Sequence, residues 1–233
     1  MNDPYVYPGT NVLVNRLDIK DNQTLDRYEN VVTNLSLLKI IDMNPKISSI
    51  AGIKNVHKII FFDVYEWAGQ YRTINMIKNE EVINGKSVDY ADYHLIDIQI
   101  EELNISVKGF NWDVSKPMLF TQQLAKFMAK LWQIHPFREG NTRATVTFFV
   151  LWLRQKNIFI NEQVLKENAA YFRNSLVMAS LGLYSENHYL EGILYDALFT
   201  DHTNKMTEEN HKKYKSINDY DVSKYKYNYH HSK

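Results

Sequence analysis

Cysteine is absent from the 233-residue sequence. That excludes disulfide frameworks, thiolate metal sites and cysteine nucleophiles, and leaves the redox compartment open. Charge of either sign is not in excess, because 27 Lys and Arg balance 27 Asp and Glu. No global field therefore draws the chain to nucleic acid or anionic lipid, and any phosphate site must be local. Long apolar runs are also missing: the longest strongly apolar stretch, near 145–153, falls far short of the roughly 20 residues that span a bilayer. The start, Met1-Asn2-Asp3-Pro4-Tyr5, lacks the basic segment and apolar stretch of a secretory signal. The expectation is a cytoplasmic protein with neither nucleic acid nor membrane as partner.

What is present reads as an ordinary folded chain, with 45% apolar and 23% charged residues, well away from disordered composition. No fixed-period repeat and no Gly/Ser- or Pro-rich linker interrupts the first 200 residues, so 1–200 reads as one domain. After Thr200 apolar content collapses. The tail, 201–233, holds seven Lys, five Asp or Glu, five Tyr and four of the eight His, and is expected to be mobile or loosely docked, with its tyrosines as anchors.

Periodicity predicts mostly helices. Over Thr24 to Met43, Leu25, Tyr28, Val31, Val32, Leu35, Leu38 and Ile41 share one helical face, and Asn44-Pro45 ends the helix. A second core helix is predicted from Ile53 to Trp67, stopped by Gly69. Between Ile74 and Asp92 the pattern changes: Val82, Ile83 and Val88 flank Asn84-Gly85, which reads as a short exposed β-hairpin or as a surface loop with the same turn. Helix resumes over Tyr93 to Leu103, with a loop from Trp112 to Pro117. A further amphipathic helix carries Phe120, Leu124, Phe127, Met128 and Leu131 and breaks at His135-Pro136. Ala144 to Lys156 is apolar nearly all round, the pattern of a central buried helix. Two or three more helices fit Glu162 to Phe199.

The loop from His135 to Arg143 joins a surface helix to that buried one. A helix start leaves amide donors unpaired and carries partial positive charge, so Gly140-Asn141 marks a natural phosphate seat. Arg143, one turn in, can add a forked donor. Glu139 beside it is a hard oxygen ligand suited to Mg²⁺, and His135 has the chemistry of a general base near neutral pH. Each residue alone has a plainer reading: His135 as a structural histidine, Glu139 and Arg143 as helix-start charges, Phe137 as core. Their concentration at one helix mouth is what those readings leave unexplained.

His135-Pro136-Phe137-Arg138-Glu139-Gly140-Asn141-Thr142-Arg143 resembles the Fic (filamentation induced by cAMP) motif, His-Pro-Phe-x-[Asp/Glu]-Gly-Asn-x-Arg-x-x-Arg. Asp63-Val-Tyr-Glu-Trp-Ala-Gly-Gln-Tyr-Arg72 is similar to the segment leading to that family's flap, and Tyr5 to Leu17 to its N-terminal lead-in. The resemblance spans roughly Asp3 to Phe199. It implies an all-α Fic fold, a helical bundle with a short β-hairpin flap, and transfer of AMP from ATP to a Tyr, Thr or Ser hydroxyl of a target protein. It further implies that His135 deprotonates the hydroxyl and Glu139 holds Mg²⁺ between the α- and β-phosphates. Gly140, Asn141 and Thr142 would line the anion cradle, Arg143 would hold the β-phosphate, and Phe137 would pack inward and fix the nucleotide loop. The flap, Val82, Ile83, Asn84, Gly85, Lys86, Ser87 and Val88, would dock the target as an added strand.

Two departures stand out. Thr142 replaces the usual Gly or Lys, keeping its backbone donor but crowding the phosphate, and Val146 replaces the motif's last Arg, removing a cation expected near the γ-phosphate. Many relatives are restrained by a Ser/Thr-x-x-x-Glu-Gly/Asn helix. Here Leu25, Gly182 and Asn187 stand four residues before Glu29, Glu186 and Glu191, so control is expected from a separate inhibitory protein or from the tail. The alternatives are a Doc-like phosphotransferase, a de-AMPylase, or a nucleotide-binding module whose catalysis has lapsed, and delivery into a host cell is a further alternative for location.

Overall fold

The computed structural model describes residues 3–200 together with Tyr214 and Ile217. Among these residues there are eight α-helices and no sheet: α1 Asn22–Met43, α2 Ile53–Phe61, α3 Ile96–Lys108, α4 Pro117–Ile134, α5 Asn141–Gln155, α6 Glu162–Glu167, α7 Ala169–Met178 and α8 His188–Phe199. Among the described residues no helix is long and apolar enough to cross a membrane.

The centre is α5, whose Ala144, Phe148, Phe149, Leu151 and Leu153 are buried, each large side chain contributing roughly 1.5–3 kcal/mol by leaving water. It packs against α2 and α4, while α4 also meets α3, α7 and α8. The sequence reading of α4 as a surface helix is therefore corrected: Phe120, Leu124, Met128, Leu131, Trp132 and Ile134 are all buried, because helices cover it on several sides. An aromatic cluster locks its far end, with Trp112 edge-on to Trp152 at 4.5 Å and to Phe120 at 5.4 Å.

Helix α1 begins where Asp21 accepts the Thr24 N–H at 2.7 Å and ends at Asn44 in the left-handed region, φ 40°. Its predicted inward face is partly wrong. Val31, Leu35 and Leu38 are 62%, 54% and 68% exposed, whereas Thr33, Ser36 and Ile40 are buried beside Leu25. The helix is rotated because Thr33 and Glu29 must meet an arginine of α5.

Helix α2 stops at Phe61, well short of Trp67. The chain turns back there, Tyr65 stacks on Trp67 at 4.3 Å, and Gly69 presses against α2. A Cβ on Gly69 would sit 2.8 Å from the Lys54 carbonyl, and its φ of +80° also favours glycine. The predicted hairpin is reduced to one antiparallel bridge, Glu80 with Lys86, around a short 3₁₀ turn, Glu81–Ile83. Asn84 and Gly85 do take the positive φ values (54° and 76°) of a tight turn. The segment is not simply exposed, however: Ile83, Ser87 and Val88 are buried, which pins it to the body.

Of the tail, Tyr214 and Ile217 are buried. The Tyr214 hydroxyl donates to Asp196 of α8 and its ring meets Tyr171 at 4.9 Å. The expectation of a mobile or loosely docked tail otherwise lies outside the described residues.

Candidate functional site

Helix α4 ends when His135 turns into the left-handed region, φ 51°, a conformation that costs a non-glycine residue about 1 kcal/mol. The buried Arg72 holds it there. Its Nε donates to the His135 carbonyl at 2.8 Å, and its terminal nitrogens donate to the carbonyls of Ile74 (2.6 Å), Ile134 (3.3 Å) and Ala91. Burial pulls the Arg72 pKa down to about 10, which leaves the group charged at neutral pH. The helix-end carbonyls it caps carry the negative end of the α4 dipole.

The rest of the loop is braced in the same manner. Asn141 accepts the Phe137 N–H at 2.9 Å and donates to the Phe137 carbonyl at 2.7 Å. Phe137 stacks on His57 at 3.8 Å. Gly69 N–H donates to His57 Nδ1 at 2.9 Å, so His57 Nε2 must carry the proton that it donates to the Glu139 carbonyl at 3.0 Å. Burial drives the His57 pKa down to about 3, consistent with a neutral positioning ring. Gly140 has φ +80°, and a Cβ there would lie 2.2 Å from the Phe61 ring. Any side chain there would force the Phe61 ring aside and strain the backbone.

The open side of the loop looks different. His135 Nδ1 lies 3.1 Å from the Trp132 carbonyl, which can only accept, so the proton sits on Nδ1 and Nε2 is bare. That Nε2 is buried and has no hydrogen-bond partner among the described residues. Burial, reinforced by Lys78, Arg72 and Arg173, holds the imidazole pKa well below its ordinary 6.5. Glu139 Oε1 accepts the Gly140 N–H at 2.9 Å, and Oε2 pairs with Lys78 Nζ at 3.0 Å. Burial alone would raise the Glu139 pKa, but Lys78, the Gly140 amide and Arg143 outweigh it and hold the group near 2. Lys78 thus pairs with the carboxylate while its charge also acts on the imidazole. The first ladder bond of α5 runs from Ala144 N–H to Gly140 O at 2.9 Å, leaving the preceding amides outside the ladder.

An unpaired neutral imidazole nitrogen, an ionised carboxylate and an amide-rich helix start form a constellation suited to phosphate-ester chemistry. Residues 48–153 match the family model described as Fic/DOC family. The probable protein adenylyltransferase y4lH of Sinorhizobium fredii is 30% identical over 166 residues, covering 70% of this chain and 82% of that protein. This chain belongs to the Fic/DOC family. Protein adenylyltransferase VbhT of Bartonella schoenbuchensis is 30% identical over 194 residues; the match covers 77% of this chain but only 38% of VbhT. The Fic fold is shared with the BepC protein of Bartonella tribocorum, solved with bound AMPPNP, at a TM-score of 0.66 and 19% identity over 83% of this chain and 95% of that one.

The Fic loop brings His135, Phe137, Glu139, Gly140, Asn141 and Thr142 together at one helix mouth. Thr142 Oγ1 accepts the Trp132 indole N–H at 2.9 Å, which fixes its side chain. Arg143 is turned elsewhere: it pairs with Glu29 at 2.5 Å, donates to Thr33 at 3.0 Å and lies over the Phe61 ring. Glu29 also accepts from the Tyr65 hydroxyl. Glu29 therefore reaches an arginine of the loop although it lacks the Ser or Thr four residues earlier, and the arginine is Arg143 rather than one at position 146. Reasoning from sequence missed Glu29, His57, Arg72 and Lys78 as site residues. Three carried a signal: His57 is a lone histidine on the apolar face of α2, Glu29 is followed by Asn30 but has no Ser or Thr at position 25, and Arg72 closes the segment similar to the family's flap lead-in. A broad groove of about 780 Å³ along α4, lined by Gln122, Lys126, Lys130, Gln133 and Ser185, contains none of the loop residues.

Proposed function

We propose that this protein transfers AMP from ATP to a Tyr, Thr or Ser hydroxyl of a target protein, with His135 as the base. The observation that carries the reading is the bare, buried, neutral Nε2 of His135 on the same short loop as the ionised Glu139 and the start of α5. The acceptor hydroxyl gives its proton to Nε2, its oxygen bonds to the α-phosphorus, and the bond from that phosphorus to the departing pyrophosphate breaks. The amides of Asn141, Thr142 and Arg143, which precede the first ladder bond of α5, would stabilise the charge that gathers on the phosphates. Support comes from y4lH and VbhT, which are named adenylyltransferases.

Glu139 fits a Mg²⁺ that keeps several waters and shares substrate phosphates, because a single hard carboxylate is offered. No group of three or more His, Cys, Asp or Glu that could cage an ion occurs among the described residues. Bound there, the metal would supply charge neutralisation to the phosphates. Arg143 can serve the β-phosphate only from its present tie to Glu29, and its 28% exposure leaves room for a second contact. The turn from Val82 to Val88 is the surface on which a target strand would lie. A separate inhibitory protein remains part of this reading, since Glu29, which reaches Arg143, lacks the Ser or Thr four residues earlier that marks the family's restraining helix.

Purified wild type and His135→Ala, each incubated with α-labelled or γ-labelled ATP and a cell lysate, with ATP binding read by calorimetry, test the assignment. Label on a protein band with wild type and none with the variant is expected. Transfer of the γ-label instead would establish the Doc-like reaction, and binding without turnover would establish the lapsed module.

A further inference from the structure

Lys78 lies on the approach to the flap. Its backbone N–H donates to Ser87 Oγ at 3.2 Å, which ties it to the return arm, and its ammonium reaches Glu139 Oε2 at 3.0 Å. The two side chains are 23% and 34% exposed, so this ion pair stands at the open side of the loop, where an incoming ligand meets it.

The neighbouring cations are committed to the protein. Arg72 is spent on backbone carbonyls, Arg138 on Asp3 at 2.8 Å, Arg143 on Glu29 at 2.5 Å and Arg173 on Glu80 at 2.7 Å. Position 146 offers only valine. Lys78 differs from these in two ways. Its partner is the carboxylate that a divalent cation would need, and its flexible four-carbon stem with three rotatable donors lets the charge swing without moving the backbone. Lysine is also a regular point-charge partner for phosphate.

We propose that Lys78 is a place-holding cation: it neutralises Glu139 while no nucleotide is present, and on arrival of a triphosphate it shifts to a phosphate oxygen and releases the carboxylate to a divalent cation. This rests on the nucleotide-binding reading above. It makes metal binding dependent on nucleotide and supplies part of the positive charge that Val146 lacks. Exchange of one charge partner for another keeps the partly buried Glu139 compensated when nucleotide and divalent cation arrive together.

The test uses the full chain as wild type, Lys78→Met, Lys78→Arg and Glu139→Gln, with melting curves to confirm folding. Mn²⁺ affinity without nucleotide is read by electron paramagnetic resonance, and affinity for α,β-methylene-ATP in EDTA by calorimetry. Lys78→Met is expected to bind Mn²⁺ about tenfold more tightly and metal-free nucleotide about tenfold more weakly, the scale of one charge-assisted hydrogen bond. Lys78→Arg should recover the nucleotide affinity. Mn²⁺ or nucleotide affinity within twofold of wild type in Lys78→Met would overturn the proposal while leaving the nucleotide reading intact. Failure of wild type and Glu139→Gln to bind any nucleotide would remove both. If Lys78→Met does not fold, Glu139→Gln decides: freeing the lysine must tighten metal-free nucleotide binding, and no tightening sinks the idea.

Discussion

The two sides of the loop between α4 and α5 are built on opposite rules. Behind it, Arg72, His57, Asn141 and Phe137 spend every polar atom on the backbone or on each other and are buried. In front, His135 Nε2 has no partner among the described residues and Glu139 is held by a single flexible lysine. A rigid rear is what allows a reactive front, since an unpaired buried nitrogen and a left-handed histidine persist only where surrounding bonds over-determine them.

The comparison can be broken from behind first. Arg72→Met strips donors from the carbonyls of Ile74, Ala91, Ile134 and His135, and should cost about 3 kcal/mol in urea unfolding, because orphaned buried acceptors carry their full desolvation penalty. AMP transfer should fall with it even below the unfolding transition. A rear that merely packed would tolerate the change at well under that cost. Gly140→Ala should lose about 2 kcal/mol, from left-handed strain and the clash with Phe61, and a crystal structure should show the Phe61 ring displaced.

His57 sharpens the contrast through pH. Its folded pKa is about 3 against an ordinary 6.5, so between those values the unfolded chain binds a proton the folded chain refuses. Stability from this group is therefore complete above pH 6.5 and is lost as pH falls toward 3, with a slope of up to about 1.4 kcal/mol per pH unit. Glu139, held near 2, adds loss in the same direction at lower pH. His57→Gln should flatten the first part of that slope in pH-dependent denaturation, and an unchanged slope would mean His57 titrates normally. The smallest effect belongs far from the loop: Leu38→Lys on the exposed side of α1 should change stability by under about 0.5 kcal/mol, whereas a core position would lose several times more.

The front of the site was legible in sequence because it is contiguous. His135 to Arg143 places base, carboxylate and helix start within nine residues, and the all-round apolar character of 144–156 located the helix they serve. The supports were not legible, since Glu29 of α1, His57 of α2 and Arg72 and Lys78 of the α2–α3 connection meet the loop only after folding. The α1 face was misjudged for the same reason. Val31, Leu35 and Leu38 outnumber the polar alternatives along the helix, yet Glu29 and Thr33 turn inward because Arg143 awaits them there. The length of α2 was overdrawn because Val64 and Trp67 keep a helical spacing while serving a turn that returns Gly69 to His57.

The account's central claim is that the loop presents His135 as a neutral imidazole with a bare Nε2. Nitrogen-resolved NMR of the His135 ring across a pH titration measures this directly. The expected result is the Nδ1–H tautomer, unprotonated at Nε2 well below the ordinary pKa of 6.5. An imidazole that titrates near that value, or that carries its proton on Nε2, would contradict it.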